Sequence, residues 1–145
     1  MMAAAPTPAK PLSAATPATA QSLLAFDFGT RRVGVATGTR FSGTGQPLRS
    51  IQQEGEARFE AIARLIQEWQ PDALVIGVPF HPDGAEHEVT LRARKFGRQL
   101  KSRFRLPVYE VDERYTSVEA ESQGARDIDA ASAALILEQF FREHP

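Results

Sequence analysis

The sequence predicts an α/β domain: a five-stranded mixed sheet flanked by helices on both faces. Three observations carry this. The chain opens with three short strand-like runs joined by glycine-containing turns. Amphipathic helical stretches then alternate with apolar strands, the pattern of βα crossovers. The last helical stretch is apolar nearly all round, so it packs deeply.

The elements follow in order. Leu23–Phe28 is an apolar run ended by Gly29-Thr30, Val33–Thr37 is its hairpin partner, and a third strand covers the Thr44–Ile51 region. In the helix over 56–69, Phe59, Ile62, Ile66 and Trp69 recur at helical spacing before Pro71 stops it. Ala73–Val78 is continuously apolar, as a strand covered on both faces must be. The polar loop Pro79–His87 leads to a helix over 88–104 striped by Val89, Ala93, Phe96, Leu100 and Phe104. Pro107 precedes a strand over Val108–Asp112, Thr116–Gln123 is compatible with a short helix, and an Ala-rich helix covers 129–142. The order is β-β-β-α-β-α-β-α-α.

At 145 residues the chain fits one domain, and its 42% hydrophobic and 24% charged content is ordinary for a globular protein. With no cysteine, disulfides, thiolate metal sites and thiol catalysis are excluded, and a reducing, cytoplasmic setting is expected. Residues 1–22 hold eight alanines, four prolines and one charge, Lys10, which marks a disordered tail ahead of a domain over 23–145. The prolines interrupt any signal-peptide core. No apolar run reaches the roughly 18–20 residues that span a membrane. The net charge of −1 argues, as an average, against a nucleic-acid partner.

Asp27 lies inside an apolar strand, where an unpaired carboxylate is costly. Either it bonds a neighbouring turn, or it faces a site as a metal ligand. Asp112-Glu113 closes the last strand, where ligands gather in open α/β sheets. Adjacent strand residues point to opposite faces, so only one of the two shares a face with a given site. Glu113 with Arg114 is also readable as a surface ion pair. Asp129 starts the last helix, where Asp caps free N–H groups; Asp127 can cap instead, leaving Asp129 as a ligand. Converged carboxylates repel without a cation, and hard oxygen donors suit Mg²⁺ or Mn²⁺.

Arg92, Arg94, Lys95, Arg98, Lys101, Arg103 and Arg105 are seven of the 17 basic residues, and no acid occurs from Val89 to Tyr109. Arg94, Arg98, Lys101 and Arg105 share one helix face. A solvated face commonly mixes signs, so this one is a candidate for phosphate-backbone contact, with Arg31, Arg32 and Arg114 extending it near the acids. His81 and His87 read as loop residues, with His81 a candidate for proton transfer.

Taken in order, several segments resemble the bacterial YqgF family. They are Phe26-Asp27-Phe28-Gly29-Thr30-Arg31-Arg32-Val33-Gly34-Val35-Ala36, Gly77-Val78-Pro79 with Asp83-Gly84, Arg92-Ala93-Arg94-Lys95-Phe96, Asp112-Glu113-Arg114-Tyr115-Thr116-Ser117-Val118-Glu119-Ala120, and Asp129-Ala130-Ala131-Ser132-Ala133. The resemblance implies a ribonuclease H-like fold and a metal-dependent nuclease that matures the 5′ end of pre-16S ribosomal RNA. It implies Asp27, Glu113 and Asp129 as the metal-binding and catalytic set, with Asp112 as stand-in if the strand faces the other way. The stretch Arg114–Ile128 is only 15 residues, shorter than in many members.

Other functions fit parts of the pattern. A Holliday-junction resolvase would use the same site on DNA and need a dimer, whereas an RNA nuclease can act as monomer or homodimer. A non-catalytic RNA-binding module would explain the basic helix but not Asp27. An actin-like phosphotransferase would match Asp27-x-Gly29-Thr30 but needs a second domain.

Overall fold

The computed structural model describes residues 16–113 and 127–145, so Arg114 and the helix expected over Thr116–Gln123 lie outside the described residues. Along the chain come β1 (Ser22–Phe28), β2 (Val33–Thr39), β3 (Gly45–Ile51), α1 (Glu56–Trp69), β4 (Ala73–Val78), α2 (Glu88–Phe104), β5 (Val108–Asp112) and α3 (Ile128–Glu143).

The described strands form a five-stranded sheet in the order β3-β2-β1-β4-β5. Short turns make β1, β2 and β3 an antiparallel meander, while the α1 and α2 crossovers lay β4 and β5 parallel to β1. This is the five-stranded mixed-sheet α/β architecture, with helices on both faces, expected from the sequence.

Strand alternation sorts the side chains into two cores. Leu24 and Phe26 of β1, with Leu74 and Ile76 of β4, pack on Phe59, Ile62 and Leu65 of α1 and Ala93, Phe96 and Leu100 of α2. Leu23 and Ala25, with Ala73, Val75 and Val111, pack on Ile136, Leu137 and Phe140 of α3. Each fully buried Leu, Ile or Phe contributes about 1.5–3 kcal/mol over its exposed state. Asp27 continues the Leu23–Ala25 series, so the carboxylate stands on the α3 face, where the next apolar residue of the pattern would be.

α1 and α2 stop by the same device. Gln70 and Arg105 adopt left-handed φ of 49° and 56°, and their N–H groups bond Ile66 O and Lys101 O. Pro71 and Pro107 follow, and neither can continue a helix.

The packed chain starts ahead of Leu23, where the sequence placed the domain's beginning. Gln21 N and Ser22 N donate to the Asp72 carboxylate at 3.0 and 3.3 Å, and Ala20 is fully buried. Arg40 donates to the carbonyls of Ala20, Pro17 and His144, joining this segment to the end of α3. Composition misses such ties because the partners are 20 or more residues away.

One row across the sheet governs the α3 face. Paired in register are Ser50, Gly34, Asp27, Gly77 and Val111, one from each strand. A Cβ on Gly34 would lie 2.0 Å from Asp129 O and 2.8 Å from Ala130 N, so only glycine lets the start of α3 rest on β2 there. Gly34→Ala is therefore expected to cost about 3 kcal/mol or more, because backbone rather than a flexible side chain must yield. Gly97→Ala is the contrast: its Cβ would meet nothing nearer than 3.6 Å. Inside a helix that change gains about 1 kcal/mol. Thermal unfolding followed by circular dichroism should show a large fall in Tm for the first variant and a small rise for the second.

Candidate active site

Asp27 sits near the C-terminal end of β1, with Gly34 on one neighbouring strand and Gly77 on the other. Two missing side chains open a hollow around its carboxyl group. The Gly77 side is filled by Ile136 of α3, whose Cδ1 lies closest, and by Glu113, just past β5. A Cβ on Gly77 would lie 3.0 Å from Glu113 Cγ and 3.1 Å from its Cδ. On the Gly34 side stands the first turn of α3, carrying Asp129.

Glu113 is 8% exposed and hydrogen-bonds Asp27. Burial first, then this bond, and then the charges of Glu113 and Asp129 push the Asp27 carboxyl up from 3.8 to about 10. Asp27 therefore keeps its proton at neutral pH, hydrogen-bonded to the buried Glu113 carboxyl and with Asp129 in its field.

Asp129 is held from outside this pair. Its Oδ2 accepts from Arg32 Nε and lies 3.4 Å from Ser50 Oγ. Ser50 Oγ donates to Asp127 Oδ1 at 2.7 Å, and the same oxygen accepts from Ala130 N at 3.0 Å. Asp127 is thus the N-cap of α3, as one reading of the two aspartates had it, and Asp129 keeps its carboxylate for other partners. Ser50 escaped the sequence reading; its signal was register with Gly34, visible only once β3 is paired.

Register excludes Asp112 as stand-in. Asp112 pairs with Val78, whose side chain belongs to the α1–α2 core, so it faces away from Asp27. Glu113 follows the parity of Val111 and Gly77 and shares the Asp27 face.

The basic helix face changes in three dimensions. Arg94 donates to Glu86 and Glu110 and lies over the Phe80 ring. Arg103 makes a forked pair with Glu56 at 2.7 and 2.9 Å, and Arg92 pairs with Glu88 one turn away. The all-basic face thus gains acids from segments outside 89–109, which a local count cannot see. Lys95, Arg98, Lys101 and Arg105 are exposed, and no described ion pair involves them. Since α2 runs back along β4, Lys101 and Arg105 lie toward Pro107, away from the strand ends that carry the acids; Arg105 is also the C-cap of α2. Arg31 is exposed in the turn after β1.

His87 caps α2, its Nδ1 accepting from Val89 N at 3.1 Å, and the exposed His81 ring stands against it. The buried Thr90 hydroxyl donates to Pro79 O, fixing α2 to the end of β4.

A family model described as RuvX, Holliday junction resolvase, matches residues 21–143. The chain belongs to this family. It is the family that the ordered motifs resemble. A protein of Albidiferax ferrireducens named "Putative pre-16S rRNA nuclease" is 59% identical over 141 residues, covering 92% of this chain and 90% of its own. One of the same name from Polaromonas is 60% identical over 125 residues, covering 86% and 91%. Among solved structures, Thermus thermophilus RuvC in complex with a Holliday junction substrate aligns with a TM-score of 0.49 at 14% identity, over 86% of this chain and 95% of that one.

The raised Asp27 pKa gives a signed pH effect. Folding keeps a proton on Asp27 that the unfolded chain releases between about pH 4 and pH 10, so its contribution to stability falls as pH rises through that window. Asp27→Asn keeps a donor toward Glu113 and removes the titration. In metal-free buffer the Tm advantage of this variant over the parent should widen from pH 5 to pH 8. A constant difference would show that the Asp27 carboxyl is not raised.

Proposed function

We propose that the chain is a metal-dependent nuclease that hydrolyses phosphodiester bonds, acting on precursor 16S ribosomal RNA in the bacterial cytoplasm. The observation that carries this is the hydrogen-bonded Asp27–Glu113 acid pair, with Asp129 in its field, in a chain whose family and relatives bear nuclease names.

The donor set fits a hard divalent cation. It offers carboxylate oxygens only, and Asp27 holds a proton where a cation would relieve the same repulsion. Among the described residues no three acidic or histidine side chains are gathered closely enough to grip an ion, because Asp129 is turned to Arg32. Asp27 and Glu113 would hold such an ion, with Asp129 as a third ligand once its carboxylate is released from Arg32. Mg²⁺ or Mn²⁺ is the expected species. Such an ion, when bound, supplies a Lewis acid at the phosphate and water of lowered pKa. The protein's own groups do the rest. The glycine-flanked hollow fixes the Asp27 and Glu113 carboxyls, Ser50 and Asp127 fix the start of α3, and Arg31 and Arg32 meet substrate phosphates at the rim.

No described helix is long and apolar enough to cross a membrane. A DNA four-way junction is the second candidate substrate, supported by the description of the family model. Asp27→Asn and Glu113→Gln should stay folded and lose at least about 100-fold in Mn²⁺-dependent cleavage, the upper end of what losing even an outer-shell partner costs. Assays on pre-16S RNA beside junction DNA, in preparations free of other nucleases, read this directly. Undiminished cleavage by either variant removes that residue from the site, and preference for the junction replaces the RNA reading.

A further inference from the structure

On the opposite side of β1 from the acids is a pocket of about 410 Å³, lined by Phe28, Gly55, Arg58, Arg92, Lys95 and Gln99. Phe28 is the residue after Asp27, so the pocket and the acid pair flank one strand end.

Arg58 is the feature that needs a cause. It is 7% exposed, and desolvation lowers its pKa. Its Nε donates to Gln53 O at 3.1 Å and its Nη2 to Thr30 O at 3.3 Å, both neutral carbonyls. Glu54 acts on it only through space, and no described carboxylate pairs with it. A buried guanidinium without a counter-charge is expensive unless an anion comes to it.

The surroundings favour such an anion. Lys95 is exposed and unpaired among the described residues; Arg92 is paired only with Glu88 on the surface, a contact worth little. Glu56, the acid in the first turn of α1, is neutralised by Arg103. A buried arginine and two rim cations together match a phosphate group.

We infer that the Arg58–Lys95 pocket binds a phosphate of the nucleic-acid strand alongside the cut. This rests on the nucleic-acid reading above. The phosphate is either an internal phosphodiester or a terminal monoester. Because Arg58 also holds the Thr30 carbonyl, an occupied pocket braces the turn that carries Arg31 and Arg32.

The test uses the full chain in EDTA, where binding is read without cleavage. Fluorescence anisotropy measures the Kd of a 12-nucleotide RNA with and without a 5′-phosphate. Variants are Arg92→Ala with Lys95→Ala, Arg58→Met, and the charge-matched control Arg64→Ala with Arg142→Ala, whose residues line no part of the pocket. The rim double variant should weaken binding about tenfold and flatten the salt slope by about 0.7, one phosphate contact's worth on a single strand. Weakening of both RNAs assigns an internal phosphate; weakening of the 5′-phosphorylated RNA alone assigns a terminal one. A Kd within twofold of the parent, or equal weakening by the control pair, overturns the inference. If Arg58→Met does not fold, the rim variant still decides. Cleavage by the parent with unchanged rim-variant binding sinks the pocket alone. Lost rim-variant binding with no cleavage by the parent sinks the nuclease reading alone.

Discussion

Asp27 stands between two residues that have no side chain, and that fact decides what else can come close. A carboxylate in the middle of a sheet normally meets bulky neighbours that shut it off. Here Gly34 admits the backbone of α3 and Gly77 admits Glu113, so two further acids reach the Asp27 hollow from segments distant in sequence. The same closeness makes the ionised form of Asp27 unfavourable, so the folded chain carries an unresolved repulsion until a cation or a proton relieves it. Packing and electrostatics are the same problem at this row: the glycines that seat α3 also make room for the Asp27–Glu113 pair.

The remaining layers answer to that placement. α3 is Ala-rich because it must lie close to β2 and β3; Ala133 and Ala134 pack on Ala36. Asp127 and Ser50 fix its start, so Asp129 faces the rim rather than capping the helix. On the other face, the large aromatics Phe26, Phe28, Phe59 and Phe96 cluster edge to face and tilted, and carry the bulk that the α3 face lacks beside Asp27.

Much of this was legible in the sequence. Helical spacing in 56–69 and 88–104, and the apolar run at 73–78, located elements almost to the residue because each contrast of period is local. Asp27 stood out because it breaks an apolar strand. What stayed hidden depends on partners from elsewhere. Arg94 looked like a phosphate ligand until Glu86 and Glu110 were brought beside it. Asp112 and Glu113 were separable only through the register of β5 on β4. Arg58 was one basic residue among many until its burial and its two carbonyl partners were visible. Gly34 and Gly77 were the signal that sequence offered for the hollow, since glycines inside strands mark close approach.

Arg40 holds the carbonyls of Pro17 and Ala20 near the start of the packed chain and that of His144 near its end, with its guanidinium also over the Phe141 ring. One side chain therefore gathers both ends of the described fold at the strand ends opposite Asp27. Ends that already meet can be joined by a short linker with little loop-closure entropy. The domain is accordingly suited to circular permutation, with new termini cut in the exposed Pro82–Gly84 loop, or to insertion as a cassette within a host protein.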